Sequence, residues 1–166
     1  MKNLQAQKGF TLVEIAIVLV IIGLLLGGVL KGQELIQNSK VKSVTQDFEN
    51  ISAAYYAYRD RTGEYPGDTP ANFFSDLRGE GFITGDATAG AAGPDHALDG
   101  VFTYVYSADG TGTTTGSQKE ICASNIEAEI AENIDNKVDD GVQGTGDYQG
   151  TAAYTAATFV DLCKAL

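Results

Sequence analysis

Apolar residues run almost unbroken from Phe10 to Leu30, with Glu14 as the one ionisable side chain in the stretch. At ~1.5 Å rise per residue a helix of that length reaches about 30 Å, enough to cross the hydrocarbon core of a bilayer. Past Lys31 the pattern changes. No proline occurs as far as Arg61, and Val41, Val44, Phe48, Ile51, Tyr55 and Tyr58 recur at alternating steps of three and four, the spacing of one helix face. Lys40, Lys42, Gln46, Asp47, Glu49 and Asn50 fill much of the remainder. Together the two patterns predict one helix from Phe10 to about Arg61, apolar all round in its first half and striped in its second. The striped half is expected to carry a small domain and the apolar half to stay free of it.

Turn chemistry then takes over. Gly63 can take a left-handed helix cap, and Pro66-Gly67 favours a turn. Thr69-Pro70 reads as a cap followed by proline at the first helical position, opening a short helix through Phe73, Phe74 and Leu77 that ends at Gly79. Residues 81–100 read as loop. Val101 to Tyr106, dense in β-branched and aromatic residues, predicts a strand, and Gly110 to Gly116 an exposed loop.

Ser124-Asn125-Ile126-Glu127 has the capping-box pattern, so Ile126, Ile130, Ile134 and Val138 are expected on one face of a second helix that Gly141 ends. Gly144 to Gly150 reads as loop, and Tyr154 to Leu162 as a last strand, with a short helix as the alternative. The expected architecture is α+β: a long amino-terminal helix whose second half is covered by a small antiparallel sheet.

A carboxylate four residues inside a membrane helix costs about 2.5 to 3.5 kcal/mol on insertion scales, so Glu14 calls for a partner. Gly23, Gly27, Gly28 and Gly32 interrupt the same segment at roughly helical-turn spacing, each at up to about 1 kcal/mol of helix propensity. Close helix packing through small residues, local unwinding in an assembly, and ordinary tolerance of glycine in lipid all account for them.

Charge narrows the function classes. The chain has 22 acidic and 11 basic residues, a net charge of -11, and from Gly63 onward 17 acids face only Arg78, Lys119, Lys137 and Lys164. Such a surface repels phosphates, so no nucleic-acid partner is expected. Lys2 and Lys8 precede the apolar run without an acid, which leaves that end cytoplasmic and the rest of the chain outside. Cys122 and Cys163 suit an oxidising compartment beyond the inner membrane.

The block Lys8-Gly9-Phe10-Thr11-Leu12-Val13-Glu14, leading straight into the apolar run, resembles the amino-terminal signature of type IV pilins and of the pseudopilins of type II secretion. The Gly63-Glu64-Tyr65-Pro66 exit also looks like that family's. The resemblance implies a leader at 1–9, cleavage between Gly9 and Phe10 by a prepilin peptidase, and N-methylation of Phe10. It further implies a transmembrane and filament-core helix at 10–30, an amphipathic continuation at 31–62, and a globular head at 63–166. Glu14, with Thr11, becomes the assembly pair: the Phe10 amine, with an ordinary pKa near 8, is mostly cationic and lies one turn from Glu14 in its own or an adjacent subunit. Partners would be other copies in a filament and an inner-membrane assembly platform. The head would be periplasmic before assembly, and the product a pilus or pseudopilus. A disulfide between Cys122 and Cys163 would tie the second helix and its loops to the chain end and bound an exposed region. The alternatives are a pseudopilin or minor pilin, and a membrane-anchored adhesion module acting through Gly110 to Gly116 or through the disulfide loop.

Chemistry for catalysis is sparse. The single histidine, His96, lies in a Gly/Asp/Ala stretch and reads as a solvated loop residue. No cofactor is expected; Asp135, Asp139 and Asp140 are weak calcium candidates, because their spacing misses the alternating acids of an EF-hand loop.

Overall fold

The computed structural model describes residues 11–67, 71–106 and 119–166. Helix α1 spans Leu12–Thr62. It ends where expected: Gly63 takes φ 83° and its N–H donates to the Arg59 carbonyl at 2.8 Å, a left-handed cap that glycine adopts without a Cβ penalty. By internal contacts the chain divides into a unit ending at Ser39 and a unit from Lys40 to Leu166.

In the second unit, α1 buries Val41, Val44, Phe48, Ile51 and Tyr55, the predicted stripe, with Tyr58 half-buried at its end. Opposite it lies a five-stranded antiparallel sheet of β1 (Asp95–His96), β2 (Gly100–Tyr106), β3 (Lys119–Glu127), β4 (Tyr148–Gly150) and β5 (Phe159–Ala165). The strand order is β1-β2-β3-β5-β4. Phe48 packs edge-on against Phe102 of β2 at 5.0 Å and Tyr148 of β4 at 5.4 Å, joining helix to sheet. Helix α2 (Phe73–Gly79) adds Phe73, Phe74 and Leu77, and Phe73 stacks on Tyr104 at 4.0 Å. Each such fully buried side chain contributes roughly 1.5 to 3 kcal/mol. Helix α3 (Ala128–Val138) presents Ile130, Ala131 and Ile134 to the same core.

Several expectations need correction. Ser124 to Glu127 is the end of β3, not a capping box. The Ser124 hydroxyl is taken by the strand, donating to the Val101 carbonyl and accepting from its N–H, both at 3.1 Å, while Ile126 is buried. Helix α3 therefore starts at Ala128, whose N–H donates to Thr158 O. Asn125 absorbs the change at φ 59°, where the β3–β5 register shifts. Asparagine tolerates that conformation better than most residues. Strand β3 itself was missed, because Ser124 and Asn125 broke its alternation.

The short helix begins at Phe73; Thr69-Pro70 lies outside the described residues, as does Gly110 to Gly116. Residues 81–100 hold a 3-10 turn at Ala87–Ala89 and strand β1, and the loop expected at 144–150 ends in β4. The last strand runs Phe159–Ala165 rather than from Tyr154, which sits in a turn and donates from its hydroxyl to Asp135 Oδ2 at 3.0 Å. Val138 is 40 % exposed, off the core face.

The disulfide joins Cys122 and Cys163, 41 residues apart. It does not tie α3 to the chain end: the two residues are direct partners in the β3–β5 register, and both are buried. Closing a loop of that size contributes about 4 kcal/mol in the chain-entropy account.

Candidate assembly site at the head of the first helix

Glu14 sits in the first turn of α1, three residues from Thr11. Thr11 donates to Glu14 Oε2 twice, from its backbone N–H and from its hydroxyl, each at 2.8 Å. Glu14 returns a backbone N–H to Thr11 Oγ1 at 3.3 Å. This reciprocal pair is a capping box, which satisfies two of the donors that a helix start leaves open. It also gives the carboxylate a partner within its own chain. Both Thr11 donors converge on Oε2, and Oε1 accepts from no described residue. Gly9 and Phe10 lie outside the described residues.

Every side chain from Thr11 to Lys31 is exposed, including Leu12 at 91 % and Leu24 at 73 %. An unbroken apolar surface of this length is not stable against water and belongs in lipid or against other helices. The helix is long and apolar enough to cross a membrane. A Cβ added at Gly23, Gly27, Gly28 or Gly32 would meet nothing within 4 Å, so packing inside the chain gives no reason for these glycines.

A family model described as the prokaryotic N-terminal methylation motif matches residues 4–30. This chain carries the type IV pilin and pseudopilin signature. The signature points to a structural subunit rather than an enzyme, and it implies processing by a prepilin peptidase and assembly into a pilus. No curated protein and no solved structure matches the chain.

The head's other candidate residues have structural surroundings. His96 is not solvated: it is 6 % exposed, with Nε2 2.9 Å from the Ser124 carbonyl and Nδ1 3.2 Å from the Leu98 N–H. Accepting at Nδ1 fixes the neutral tautomer with its proton on Nε2. Burial lowers its pKa, against the opposing pull of the Ser124 carbonyl and of Asp47, Asp95 and Asp99. Gly100 permits this arrangement, since a Cβ there would come 2.6 Å from His96 Nε2.

Asp135, Asp139 and Asp140 do converge, their carboxylate oxygens within 4.8 Å of one another. Each already has a donor. Asp135 accepts from Tyr154 and from the Gly141 N–H, Asp139 from the Tyr148 N–H at 2.9 Å, and Asp140 from Val142 N–H and the Thr145 hydroxyl. Burial raises the Asp135 carboxyl above its ordinary range, while the Thr145 hydroxyl leads in lowering Asp140. This is how the turn from α3 into β4 is held.

Sequence reasoning missed two groups that shape the head. Lys164 Nζ lies 2.6 Å from Glu49 Oε1, and the Tyr148 hydroxyl donates to the same oxygen at 3.0 Å. Asp47, read only as part of the polar face, is half-buried in a groove beside α1. No local pattern marks either, because each depends on which strand reaches the helix.

Proposed function

We propose that this chain is the structural subunit of a type IV pilus-like filament. The observation that carries the reading is the methylation motif at residues 4–30 heading a helix whose apolar side chains are exposed on every side from Leu12 to Leu30. The precursor waits in the inner membrane with its head in the periplasm. A prepilin peptidase cuts between Gly9 and Phe10, and the new Phe10 amine is methylated, which keeps its charge. Extraction from lipid then moves the exposed helix surface from acyl chains to neighbouring helices, an exchange of one apolar environment for another.

Glu14 sets the register. Its carboxylate is held by Thr11 in the separate subunit, and Oε1 remains for the cationic Phe10 amine of its own or an adjacent chain. Isolation of sheared surface fibres, followed by electron microscopy with an antibody to the head, tests the reading. Labelled fibres support a major pilin. A chain confined to the membrane, beside fibres built of another protein, supports the pseudopilin or minor-pilin role instead.

A further inference from the structure

A groove of about 520 Å³ runs along α1 from Asp47 to Ala57, with Phe82, Ile83 and Pro94 in its far wall. Asn50, Ala53, Ala54 and Ala57 line its α1 side at i, i+3, i+4 and i+7, the four corners of a hole that takes one side chain from a facing helix. Three of the four are alanine, which leaves the hole open. One end of the groove is acidic. The charges of Asp47 and Asp95 both act on His96, so the two carboxylates lie at the same end. Asp47 is half-buried and accepts a hydrogen bond from no described residue, and Asp95 has no ion pair among the described residues. A desolvated carboxylate without a donor is costly, so this end calls for a cation.

Cations of the same head serve other groups. Lys40 faces Asp99 at 3.9 Å, Lys164 holds Glu49, and Arg61 holds Glu80. Arg78 has Nε and Nη1 buried without an acceptor, yet it stands outside the groove, against Gly85 and 5.8 Å from the centre of the Phe74 ring. The carboxylate its charge reaches is Asp86, not Asp47. The head of a second copy is a poor source, since from Gly63 onward 17 acids stand against four cations and two such surfaces repel. The neck of α1, residues 31–42, is different. It carries Lys31, Lys40 and Lys42 against Glu34, a net charge of +2. Leu35 and Ile36 are 60 % and 62 % exposed there, past the uncharged run that ends at Leu30, so a lipid core matched to that run leaves them uncovered.

We propose that the groove receives the neck of α1 from a second copy of this chain, with Leu35 seated between Asn50, Ala53, Ala54 and Ala57 and Lys31 against Asp47 and Asp95. The order of residues fits parallel helices. Asp47 precedes the hole along α1, and in the neck Lys31 stands one turn before Leu35, its stem leaning back toward the helix start. Gly28, Gly32, Leu35 and Ser39 recur at four, three and four, one face of the neck, so the glycines let the two backbones close in around the leucine. Glu34, two residues from Gly32, falls on the far side of the helix. Its ion pair with Lys31 is exposed on both sides and readily exchanged. Two regions of one helix, about 27 Å apart, thus meet between copies displaced by that distance. Such a head-to-tail contact propagates as an open polymer instead of closing a two-fold dimer. The inference rests on the filament reading and names one contact within it.

The test is thiol crosslinking in cells that assemble the full-length chain. Leu35→Cys and Ala53→Cys, combined in one chain and co-expressed with the unaltered chain so that polymer forms, should give covalent multimers with a short bis-maleimide, while each single variant gives none. The two positions are too far apart along one helix for a link within a chain. Ala53→Trp fills the hole from an exposed position, so it should leave the thermal midpoint of the head unchanged and abolish polymer. Polymer that contains the double-cysteine chain yet gives no multimers, or that forms normally from Ala53→Trp, overturns the groove contact and leaves the filament reading standing. Absence of any polymer from the unaltered chain overturns both.

Discussion

Lys164 Nζ lies 2.6 Å from Glu49 Oε1, a contact between β5 and α1 across 115 positions of sequence. The lysine side chain is only 13 % exposed, and its ammonium also stands 5.3 Å from the centre of the Tyr148 ring. Together they clamp the last strand to the helix beside the Phe48–Tyr148 contact.

Removing that clamp should loosen the head. Lys164→Met keeps the stem and deletes the charge, and should cost about 1 kcal/mol, since Glu49 is more than half exposed and water screens the pair. The Lys164 hydrogen bond leads in lowering the Glu49 pKa below 4.5. Its share of stability is therefore present above pH 4.5 and lost as pH falls through the lower folded value. Urea unfolding of the head at pH 7 and near pH 4 should show a smaller difference between Lys164→Met and the parent at the lower pH.

His96 gives a second pH signature. Its folded pKa is below the ordinary 6.5, so the unfolded chain binds the proton first. Stability should be flat above about pH 6.5 and fall as pH drops below it, because protonation removes the acceptor that Nδ1 offers to the Leu98 N–H. Asp47 and Asp135, whose pKa values burial raises, act in the opposite sense but closer to the carboxylate range. Thermal midpoints between pH 7.5 and 5 should trace this limb, and His96→Gln should flatten it. An unchanged slope in that variant contradicts the assignment.

The disulfide supports the sheet and plays no part in the reading of α1. Cys122→Ala with Cys163→Ala should lower stability by about 3 to 4 kcal/mol while leaving cleavage at Gly9 intact. Both sulfurs are held in the disulfide, so a thiol reagent should label neither position without reductant, and the burial of the pair should slow reduction and labelling of the native protein even with it.

How much of this was legible in the sequence follows from the range of the interactions. The three-and-four spacing from Val41 to Tyr55 and the helix stop at Gly63 are set within a few residues, and both appear as read. Strand β3 was not legible, since Ser124 and Asn125 carry a local helix-start pattern and only the approach of Val101 redirects the Ser124 hydroxyl. His96 misled for the same reason: its neighbours in sequence are loop residues, while its ring bonds to Ser124 O of β3, two strands away in the sheet. At the head of α1 the sequence indicated that Glu14 needs a partner. The Thr11 capping box supplies one within three residues.

Glu14 itself separates insertion from assembly. Glu14→Ala removes the carboxylate from a helix that stays apolar, so the variant should enter the membrane and be processed normally yet yield little or no filament. Thr11→Ala removes the hydroxyl donor but leaves the backbone one, and should have a milder effect. Normal filaments from Glu14→Ala contradict the registering role.

The most direct measurement is mass spectrometry of the mature amino terminus, on chain recovered from membranes and from any filament. The account predicts a first residue Phe10 bearing one added methyl group, with residues 1–9 gone. A mature chain that still begins at Met1, or a Phe10 terminus without the methyl group, contradicts it.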